Sequence, residues 1–486
     1  MTLSTLTSQD PQRAGTDSPD HTEPVFISQR FRRPRATPPP PWWADVASAV
    51  TWLSVVAVVA LWVSNAGLQE LGFSATGVTA VGRLAALLSG DLLLILVLLM
   101  ARIPFVERAY GQDGLAQRHR TLGFLSFNLL LAHLVLTISG YAVSDRKSFL
   151  SQTWSLISTY PGIPLAAVAF VVIVLVVVTS IRFAKKHLRY ETWHLVHVYA
   201  YLSVALVLPH EIATGTEFLS TYGARIYWLT LYATVLAATL LYRVALPMWR
   251  TWRHRLVVSQ VVQEAPDVVS IHLKGRALQR MPLAAGQFMN FRFLDGPDWL
   301  QAHPYSLSAA PRTDRLRITV KGLGDSFDRM SQLRPGIRVL MEGPYGRLTS
   351  AVRTRRRITL IAAGIGITPM RALLEEFDYD PNEATLIYRA NTPTDLVFRS
   401  ELDELARVRG ARVYYLIGER IPDRESWLPI AAARWSDAAA LERLVPDIAL
   451  QDVFICGGEA WMEAARLAAS EAGVPDSQIH IERFVL

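Results

Sequence analysis

The sequence predicts a multi-domain membrane protein. It would consist of a six-helix transmembrane bundle, a small antiparallel β-barrel and an α/β domain with a parallel sheet. Hydrophobic residues make up 51% of the 486 residues and charged residues only 19%, which is too apolar for an ordinary soluble protein. Long apolar runs fill the first half of the chain. In the second half, short strands separated by turn residues give way to strands alternating with helices.

Six apolar stretches are long enough to cross a bilayer, since a spanning helix needs about 20 residues. Six crossings place both termini on one side, and clusters of arginine and lysine lie in the N-terminal tail and after the second, fourth and sixth stretches. The positive-inside rule then predicts that both termini lie in the cytoplasm, and we expect a multi-pass protein of the plasma membrane. The predicted spans are residues 43–64, 83–101, 121–143, 163–183, 191–211 and 224–247.

Composition also divides the chain into domains and excludes some functions. Residues 1–42 read as a disordered cytoplasmic tail, 43–250 as the helical bundle, 251–350 as the barrel and 351–486 as the α/β domain. The net charge is +7, but many of the basic residues lie beside apolar spans and no nucleic-acid recognition motif accompanies them. Nucleic-acid binding is therefore not expected. The single cysteine excludes an intramolecular disulfide and a cysteine-ligated iron–sulfur cluster.

Four histidines lie at matched depths in two apolar spans, where an ionisable ring needs a function. His119 and His133 bracket the third span (133 − 119 = 14), and His197 and His210 bracket the fifth (210 − 197 = 13). At about 1.5 Å per residue, the two histidines on the same helix are separated by roughly 20 Å along the helix axis. Two such helices side by side offer one histidine pair near the cytoplasm and another near the outer surface. Each pair can ligate a haem iron axially.

The direction in which the histidine side chains point around each helix supports the haem-ligand hypothesis for the third span more than for the fifth. Fourteen residues at about 100° each nearly close four turns, which puts the histidines of the third span on one face. Thirteen residues leave His197 and His210 apart in an ideal helix, although Pro209 can re-aim the ring of His210. His194, on the same helix, is an alternative ligand to His197.

Two charged residues lie in the second span. Arg83 opens that span near the outer surface, where it can pair with a haem propionate or extend its charge to the interface. Asp91 lies near the middle of the span and needs a partner or a wet cavity. The sequence does not name that partner.

Two motifs in the predicted barrel have the chemistry that a flavin cofactor needs. An aromatic ring beside a hydroxyl is suited to packing on an isoalloxazine and hydrogen-bonding its N5. A cation with small residues and a hydroxyl is suited to a pyrophosphate. The motifs are His303-Pro304-Tyr305-Ser306 and the run Lys321-Gly322-Leu323-Gly324-Asp325-Ser326.

A glycine-rich turn follows the first strand of the α/β domain. Its glycines let a phosphate approach the backbone, and the following helix offers unpaired N–H groups at its N-terminus. Proline at the end of the motif fits a first helical turn, and the strand–turn–helix context favours dinucleotide binding. A second turn of the same sheet would lie beside the nicotinamide, although Cys456 there is also a common type of core residue. The turns are Gly364-Ile365-Gly366-Ile367-Thr368-Pro369 and Cys456-Gly457-Gly458.

These features together resemble the NADPH oxidase and ferric reductase family of transmembrane flavocytochromes, of the prokaryotic type. The resemblance covers about residues 45–486. It implies a ferredoxin-NADP reductase-like C-terminal part and electron transfer from cytosolic NADPH or NADH, through FAD and two b-type haems, to an outer acceptor. That acceptor would be oxygen (which would give superoxide), or a ferric chelate, or a partner protein. By the same resemblance His119 and His197 hold the inner haem, and His133 and His210 the outer haem.

The resemblance also assigns residues to the nucleotide cofactors. Ser306 and Cys456 are catalytic candidates, and Phe484 is the candidate for an aromatic residue stacked on the flavin, although Val485 and Leu486 follow it. The FAD contacts would be His303, Pro304, Tyr305, Ser306, Lys321, Gly322 and Ser326. The dinucleotide contacts would be Gly364, Gly366, Thr368, Pro369, Cys456 and Gly457.

An arginine at the end of a strand bears on the choice between NADPH and NADH. Arg389 follows the strand Leu386–Tyr388, where a guanidinium can bind a 2′-phosphate through two hydrogen bonds. This favours NADPH, and Arg399 or Arg420 are alternatives for the same role. Two other functions remain as alternatives for the whole chain. One is a haem-free, membrane-anchored flavin reductase, and the other is a transporter, which the nucleotide motifs argue against.

Overall fold

The computed structural model describes residues 40, 42–181, 190–215, 218, 221–296, 301–322 and 325–482. The chain divides into two compact units, residues 39–246 and residues 247–485. We call them the membrane unit and the C-terminal unit. Of the predicted tail at 1–42, only Pro40 and Trp42 are described, and Phe484 lies outside the described residues.

The membrane unit consists of helices. Among the described residues, six helices are long and apolar enough to cross a membrane, which confirms the six predicted spans. The last of them continues through a π-helical segment, Leu240–Ala245, into a terminal helix. The terminal helix, α8 (Leu246–His254), lies in the C-terminal unit from Pro247 onward. The helices of the membrane unit among the described residues are α1 (Trp42–Ser64), α2 (Ala75–Met100), α3 (Pro104–Ser144), α4 (Phe149–Thr159), α5 (Ile163–Ser180), α6 (Tyr190–Thr214) and α7 (Tyr222–Thr239).

Helix boundaries differ from the prediction where capping decides them. The hydroxyl of Ser74 accepts a hydrogen bond from Gly77 N and begins α2 well before the predicted start. Arg83 therefore lies inside α2 instead of opening it. Helix α4, with Ser148 as its N-cap, was not predicted, because it has only 11 residues and lies in a segment expected to be a loop.

Small residues allow α2 and α3 to pack closely. A Cβ on Gly82 would lie 2.6 Å from the Oγ1 of Thr137 on the facing helix, and a Cβ on Gly140 would collide with Thr79. Close backbone approach through small residues is a usual way for helices to associate in a membrane. Helix α5 packs along α6 in the same unit.

The first part of the C-terminal unit has six antiparallel strands. They form two three-stranded sheets, β1-β2-β5 and β4-β3-β6, joined by bridges between Val257 and Arg338 and between Leu307 and Ile318. The motif at 303–306, expected after a strand, is itself strand β4. The elements are β1 (Val257–Ala265), β2 (Val268–Lys274), β3 (Phe288–Phe293), β4 (His303–Ser306), β5 (Arg315–Lys321), α9 (Asp325–Ser331) and β6 (Val339–Tyr345).

The second part is a five-stranded parallel sheet with helical crossovers, as predicted. The strand order is β11-β10-β7-β8-β9, so the later strands β10 and β11 lie on the opposite side of β7 from β8 and β9. Ligands bind such parallel sheets at the carboxyl ends of the strands beside this change in the order of the strands. Helix α12 and strand β11 were not predicted. The elements are β7 (Ile358–Ala363), α10 (Ile367–Glu376), β8 (Ala384–Ala390), α11 (Arg399–Arg409), β9 (Arg412–Ile417), α12 (Asp437–Leu444), β10 (Asp452–Cys456), α13 (Glu459–Glu471) and β11 (Ile479–Ile481).

Candidate cofactor sites

The structure brings together the two histidines expected near the cytoplasm. The ring centroids of His119 on α3 and His197 on α6 lie 5.9 Å apart. Imidazole nitrogens about 2 Å from a shared metal ion would place two opposed rings roughly 6 Å apart. The Nδ1 of His197 lies 3.2 Å from the Oγ of Ser180, and its ring stacks on Trp193. Of the two alternatives His194 and His197, it is His197 whose ring the structure shows against His119.

The two histidines expected near the outer surface, His133 and His210, each have a hydrogen-bond partner at Nδ1. The Nδ1 of His133 lies 3.1 Å from Gly82 O and 3.2 Å from the Oγ1 of Thr137. The Nδ1 of His210 lies 2.8 Å from the Oγ1 of Thr214. Metal-ligating histidines usually bind such a partner through one ring nitrogen, which orients the other nitrogen toward the metal. Both outer rings therefore fit a ligand role through Nε2.

Packing, and not a helix break, places His210. Helix α6 remains helical through Pro209. Gly162, with φ of +84°, lies against this backbone, and a Cβ there would be 2.7 Å from the Cα of His210.

The two charged residues of α2 have partners. Arg83 forms an ion pair with Glu70. Asp91 is fully buried, and its Oδ1 accepts hydrogen bonds from the Oγ of Ser54 at 2.7 Å and the hydroxyl of Tyr227 at 2.6 Å. Asp91 therefore links α1, α2 and α7. A haem propionate at Arg83 would share that guanidinium with Glu70.

The flavin motif contains a buried hydroxyl without a partner. Ser306 is 5% exposed, and its Oγ has no hydrogen-bond partner among the described residues. Leaving a buried hydroxyl unpaired costs about 1–3 kcal/mol. The Oγ of Ser306 is therefore suited to form a hydrogen bond with a bound ligand. On the same strand, the rings of His303 and Tyr305 stack in parallel, 5.9 Å apart. Pro304 is exposed on β4, an edge strand, where proline is tolerated.

The predicted pyrophosphate run is described only in part. The Nζ of Lys321 lies 3.3 Å from the Oδ2 of Asp267, and the ring of Phe327 packs against Gly322. Ser326 lies in α9, but its side chain is outside the described residues. A phosphate at Lys321 would have to compete with the Asp267 carboxylate.

The two predicted dinucleotide turns pack directly on each other. Gly364 has φ of +54° with open space around it, and Gly366 has no room for a Cβ because the Cys456 carbonyl lies there. Thr368 donates a hydrogen bond to Ile365 O at 3.0 Å, and it is buried together with Pro369 in the first turn of α10. Gly457 packs in the facing turn. The N-terminus of α10 thus lies beside both turns, at the carboxyl ends of β7 and β10.

Cys456 is a protonated thiol in this setting. Its side chain is fully buried, and its Sγ lies 3.7 Å from Glu482 O. Burial raises the pKa of the Cys456 thiol well above its usual value, with Glu482 adding to the effect. A thiol of this kind fits a packing role beside a nicotinamide and not that of a nucleophile.

Arg389 is a buried cation with unused donors. It is 5% exposed, and Nη1 donates to the Oδ1 of Asn391 at 2.9 Å. Among the described residues, Nε and Nη2 have no hydrogen-bond partner. Burial, and then Arg420, lower the pKa of the Arg389 guanidinium. Arg399, the other alternative, lies over the ring of Tyr415. A phosphate would satisfy the open donors of Arg389.

The threonines behind the outer histidines were missed from the sequence. Thr137 and Thr214 each follow an outer histidine by four residues, so each lies one helical turn further on the same face. That repeated spacing was the available signal.

Three family models match the chain in sequence order. The ferric reductase like transmembrane component matches residues 85–208, the FAD-binding domain residues 253–349, and the oxidoreductase NAD-binding domain residues 360–467. The first match includes His119, His133 and His197 and ends before His210.

Curated relatives match part of the chain. The ferredoxin reductase component of 3-ketosteroid-9-alpha-monooxygenase from Mycolicibacterium smegmatis is 32% identical over 242 residues, which is 47% of this chain and 65% of that protein. The flavohemoprotein of Bacillus subtilis is 26% identical over 242 residues, 49% of this chain and 60% of that protein. The chain thus covers less than two thirds of each relative.

Solved structures show weaker similarity. The FAD/NAD-binding domain of nitric oxide dioxygenase from Vibrio cholerae is 22% identical, with a TM-score of 0.36 over 47% of this chain and 98% of that one. The flavohemoglobin of Malassezia yamatoensis is 18% identical, with a TM-score of 0.41 over 85% of this chain and 100% of that one.

The family models and the two-unit fold define a class. The protein is a multi-pass membrane oxidoreductase whose C-terminal unit carries FAD-binding and NAD-binding domains. Their order is the domain architecture of the NADPH oxidase and ferric reductase family, which confirms the resemblance found in the sequence.

Proposed function

We propose that this protein carries electrons from cytosolic NADPH, through FAD and two b-type haems, across the membrane to an outer acceptor. The observation that carries the proposal is the arrangement of the four membrane histidines. One pair has rings 5.9 Å apart, and the other pair has its Nδ1 atoms held by hydroxyl or carbonyl groups.

In this proposal, His119 and His197 hold the inner haem, and His133 and His210 hold the outer haem. A porphyrin supplies four iron ligands, so two histidines complete each site. Thr137 and Thr214 orient the outer rings, and Ser180 orients His197. The fixed rings would hold each haem at a constant depth.

The C-terminal unit would bind the two nucleotide cofactors. FAD, when bound, accepts two electrons as hydride and releases them singly, which is the chemistry needed between a nicotinamide and a haem. Ser306 would hydrogen-bond the flavin through its unpaired Oγ, with Tyr305 packed on the ring. Cys456 would lie beside the nicotinamide, and the N-terminus of α10 at Gly364 and Gly366 would bind the pyrophosphate.

Arg389 supports NADPH over NADH. Its open donors and the nearby Arg420 form a positive site at the carboxyl end of β8, where a 2′-phosphate adds negative charge. We further propose that both termini face the cytoplasm, as the positions of the basic clusters indicate, and that the protein lies in the plasma membrane. The acceptor would be oxygen, giving superoxide, or ferric iron.

Absorbance spectroscopy of the detergent-solubilised full chain tests the proposal. After FAD is supplied, NADPH without oxygen should produce reduced b-type haem bands from two haems per chain. His119→Ala and His133→Ala should each remove one haem, and His194→Ala is the matched control that should retain both. Opening the sample to oxygen or to a ferric chelate then tests the acceptor.

Flavin bleaching without any haem bands would contradict the proposal and leave a membrane-anchored flavin reductase. Loss of one haem in His194→Ala, with both retained in a His197→Ala variant, would reassign the inner ligand.

A further inference from the structure

A buried cluster of charges joins the antiparallel sheets of the C-terminal unit to the helices of the parallel sheet. We call it the junction cluster. Its side chains are only 3–16% exposed, although all of them carry charge. Its members are Arg317 on β5, Arg371 and Glu375 on α10, and Glu401 on α11.

Ion pairs hold the cluster together. Arg371, which is 3% exposed, forms ion pairs with both Glu375 and Glu401. The Nη1 of Arg317 donates to both carboxylate oxygens of Glu401, at 3.1 and 3.2 Å. Glu401 therefore receives one arginine from the antiparallel part and one from the parallel part. The cluster crosses the junction through this carboxylate.

On the flavin side, the cluster reaches the segment that follows the flavin motif. Arg317 donates from Nη2 to Ser308 O at 2.8 Å and from Nε to the Oγ of Ser308 at 3.2 Å. The backbone N of Ala310 donates to the Oε2 of Glu375 at 2.8 Å. Ser308 lies two residues after Ser306, so these bonds fix the chain beside the unpaired Ser306 hydroxyl.

On the dinucleotide side, contacts lead from the cluster to the glycine turn. The guanidinium of Arg317 lies 4.6 Å from the ring centroid of Phe398, a residue with φ of +64°. Such a conformation is unfavourable for a bulky side chain and persists only where the surroundings impose it. The adjacent Val397 N donates to the Tyr388 hydroxyl at 3.3 Å, and that hydroxyl donates to Gly364 O at 3.2 Å.

Stability alone does not account for this arrangement. Desolvating several charges offsets most of their attraction, and apolar packing of similar volume often stabilises as well or better. Directional ion pairs do fix the orientation of the elements they join. Hydride transfer needs such fixing, because the reacting atoms must approach within about 3–3.5 Å and an error of 1 Å can slow a reaction about 100-fold.

We propose that the junction cluster sets the distance between the flavin motif and the dinucleotide turn, so that Arg317, Arg371 and Glu401 are positioning residues for hydride transfer. The inference rests on the proposed hydride step from NADPH to FAD. It does not depend on the haems, because all residues of the cluster lie in the C-terminal unit.

Stopped-flow flavin reduction by NADPH, without oxygen and in the full chain loaded with FAD, tests the proposal. Glu401→Gln should slow flavin reduction at saturating NADPH at least about ten-fold. The FAD content and the dissociation constant of NADPH should stay within two-fold of wild type. NADPH deuterated at C4 of the nicotinamide should show a larger isotope effect than in wild type. Glu401→Asp, which keeps the charge, should recover part of the rate.

A matched control lies on the same helix. Glu404 on α11 pairs with Arg407 at the surface, at 2.7 Å, so Glu404→Gln removes a carboxylate without touching the cluster. Its rate and isotope effect should equal those of wild type. If Glu401→Gln fails to retain FAD, Arg317→Lys serves as the second variant, since it keeps a positive charge but loses the paired donors.

Wild-type rates and isotope effects in a folded Glu401→Gln or Arg317→Lys variant would overturn the proposal. A rise in the NADPH dissociation constant without slower saturated reduction would also overturn it, because that is the result expected of a binding residue. Haem spectra of the same samples separate this outcome from failure of the haem proposal. Protein without haem bands can still give a valid flavin-reduction rate.

Discussion

The two units of the molecule give their buried carboxyl groups different kinds of partner. In the membrane unit, the Asp91 carboxylate accepts hydrogen bonds from the neutral hydroxyls of Ser54 and Tyr227. In the C-terminal unit, the Glu401 carboxylate is paired with two arginines. Neutral hydroxyls provide donors to the Asp91 carboxyl group without bringing further charges into the apolar layer, whereas the opposed charges at the domain junction join elements of its two parts.

This difference affects how functional residues are found. Ionisable side chains are so costly in the membrane that their presence alone marks candidates, as with His133 and His210. In the C-terminal unit charged and polar residues are common, and the informative ones have buried polar atoms without a hydrogen-bond partner among the described residues, as the Oγ of Ser306 and the Nε and Nη2 of Arg389 do.

The largest expected effect is in the membrane unit. His210→Ala should remove one haem and abolish reduction of an outer acceptor, because electrons would lose their last carrier. Reduction of FAD by NADPH should continue at the wild-type rate. Haem absorbance, acceptor reduction and flavin bleaching measured on the same preparation check this. A variant that keeps both haems would show that His210 is not a ligand.

The next effect is in the C-terminal unit. Arg389→Gln should raise the KM for NADPH by about 10- to 100-fold, since a charge-assisted hydrogen bond contributes about 1.5–3 kcal/mol. The KM for NADH should hardly change. Arg399→Gln, at the alternative arginine, is the control and should leave both constants near wild type. Equal losses for both nucleotides would show that Arg389 does not bind a 2′-phosphate.

A smaller effect returns to the membrane unit. Asp91→Leu should destabilise the solubilised protein by about 1–3 kcal/mol, because it leaves the hydroxyls of Ser54 and Tyr227 without their acceptor. Asp91→Asn keeps an acceptor oxygen of similar shape and should lose less. Thermal unfolding of both variants in detergent checks the order. Equal losses would mean that the negative charge, and not the hydrogen bonds, stabilises the helices.

The smallest effect concerns pH and the C-terminal unit. Burial would raise the pKa of Asp452, but hydrogen bonds from His480 and from the backbone N of Arg355 and Thr354 outweigh it and hold that pKa below its usual value. Because the folded pKa is the lower one, this stabilisation is fully present above the unfolded pKa of about 3.9. It is lost as the pH falls through the folded pKa.

Asp452→Asn should therefore be less stable than wild type at neutral pH, and the difference should shrink in acid. Release of FAD on heating, followed by flavin fluorescence across the pH range, checks this. The exposed Asp314→Asn is the control and should show no such convergence. A constant difference between Asp452→Asn and wild type at all pH values would contradict the assignment.

Much of the fold could be predicted because its signals are local. The six spans follow from length and hydropathy, and strands β7 and β9 follow from short apolar runs between turn residues. Helix α4 was missed because its 11 residues lie in an expected loop, and strand β4 because its four residues were read only as a cofactor motif. The early start of α2 depends on the Ser74 cap, which hydropathy does not report.

The sequence by itself determined which residues are the candidates for cofactor binding: the histidines at 14 and 13 residue spacings and the glycines after β7. These are short-range patterns set by helix rise and turn geometry. Only the tertiary structure decided which of them meet. It placed the ring of His197 near that of His119 and gave Asp91 its partners on two other helices. It also left Arg389 buried, with two nitrogens that have no hydrogen-bond partner among the described residues. Such choices depend on contacts between residues far apart in the chain, which packing alone fixes.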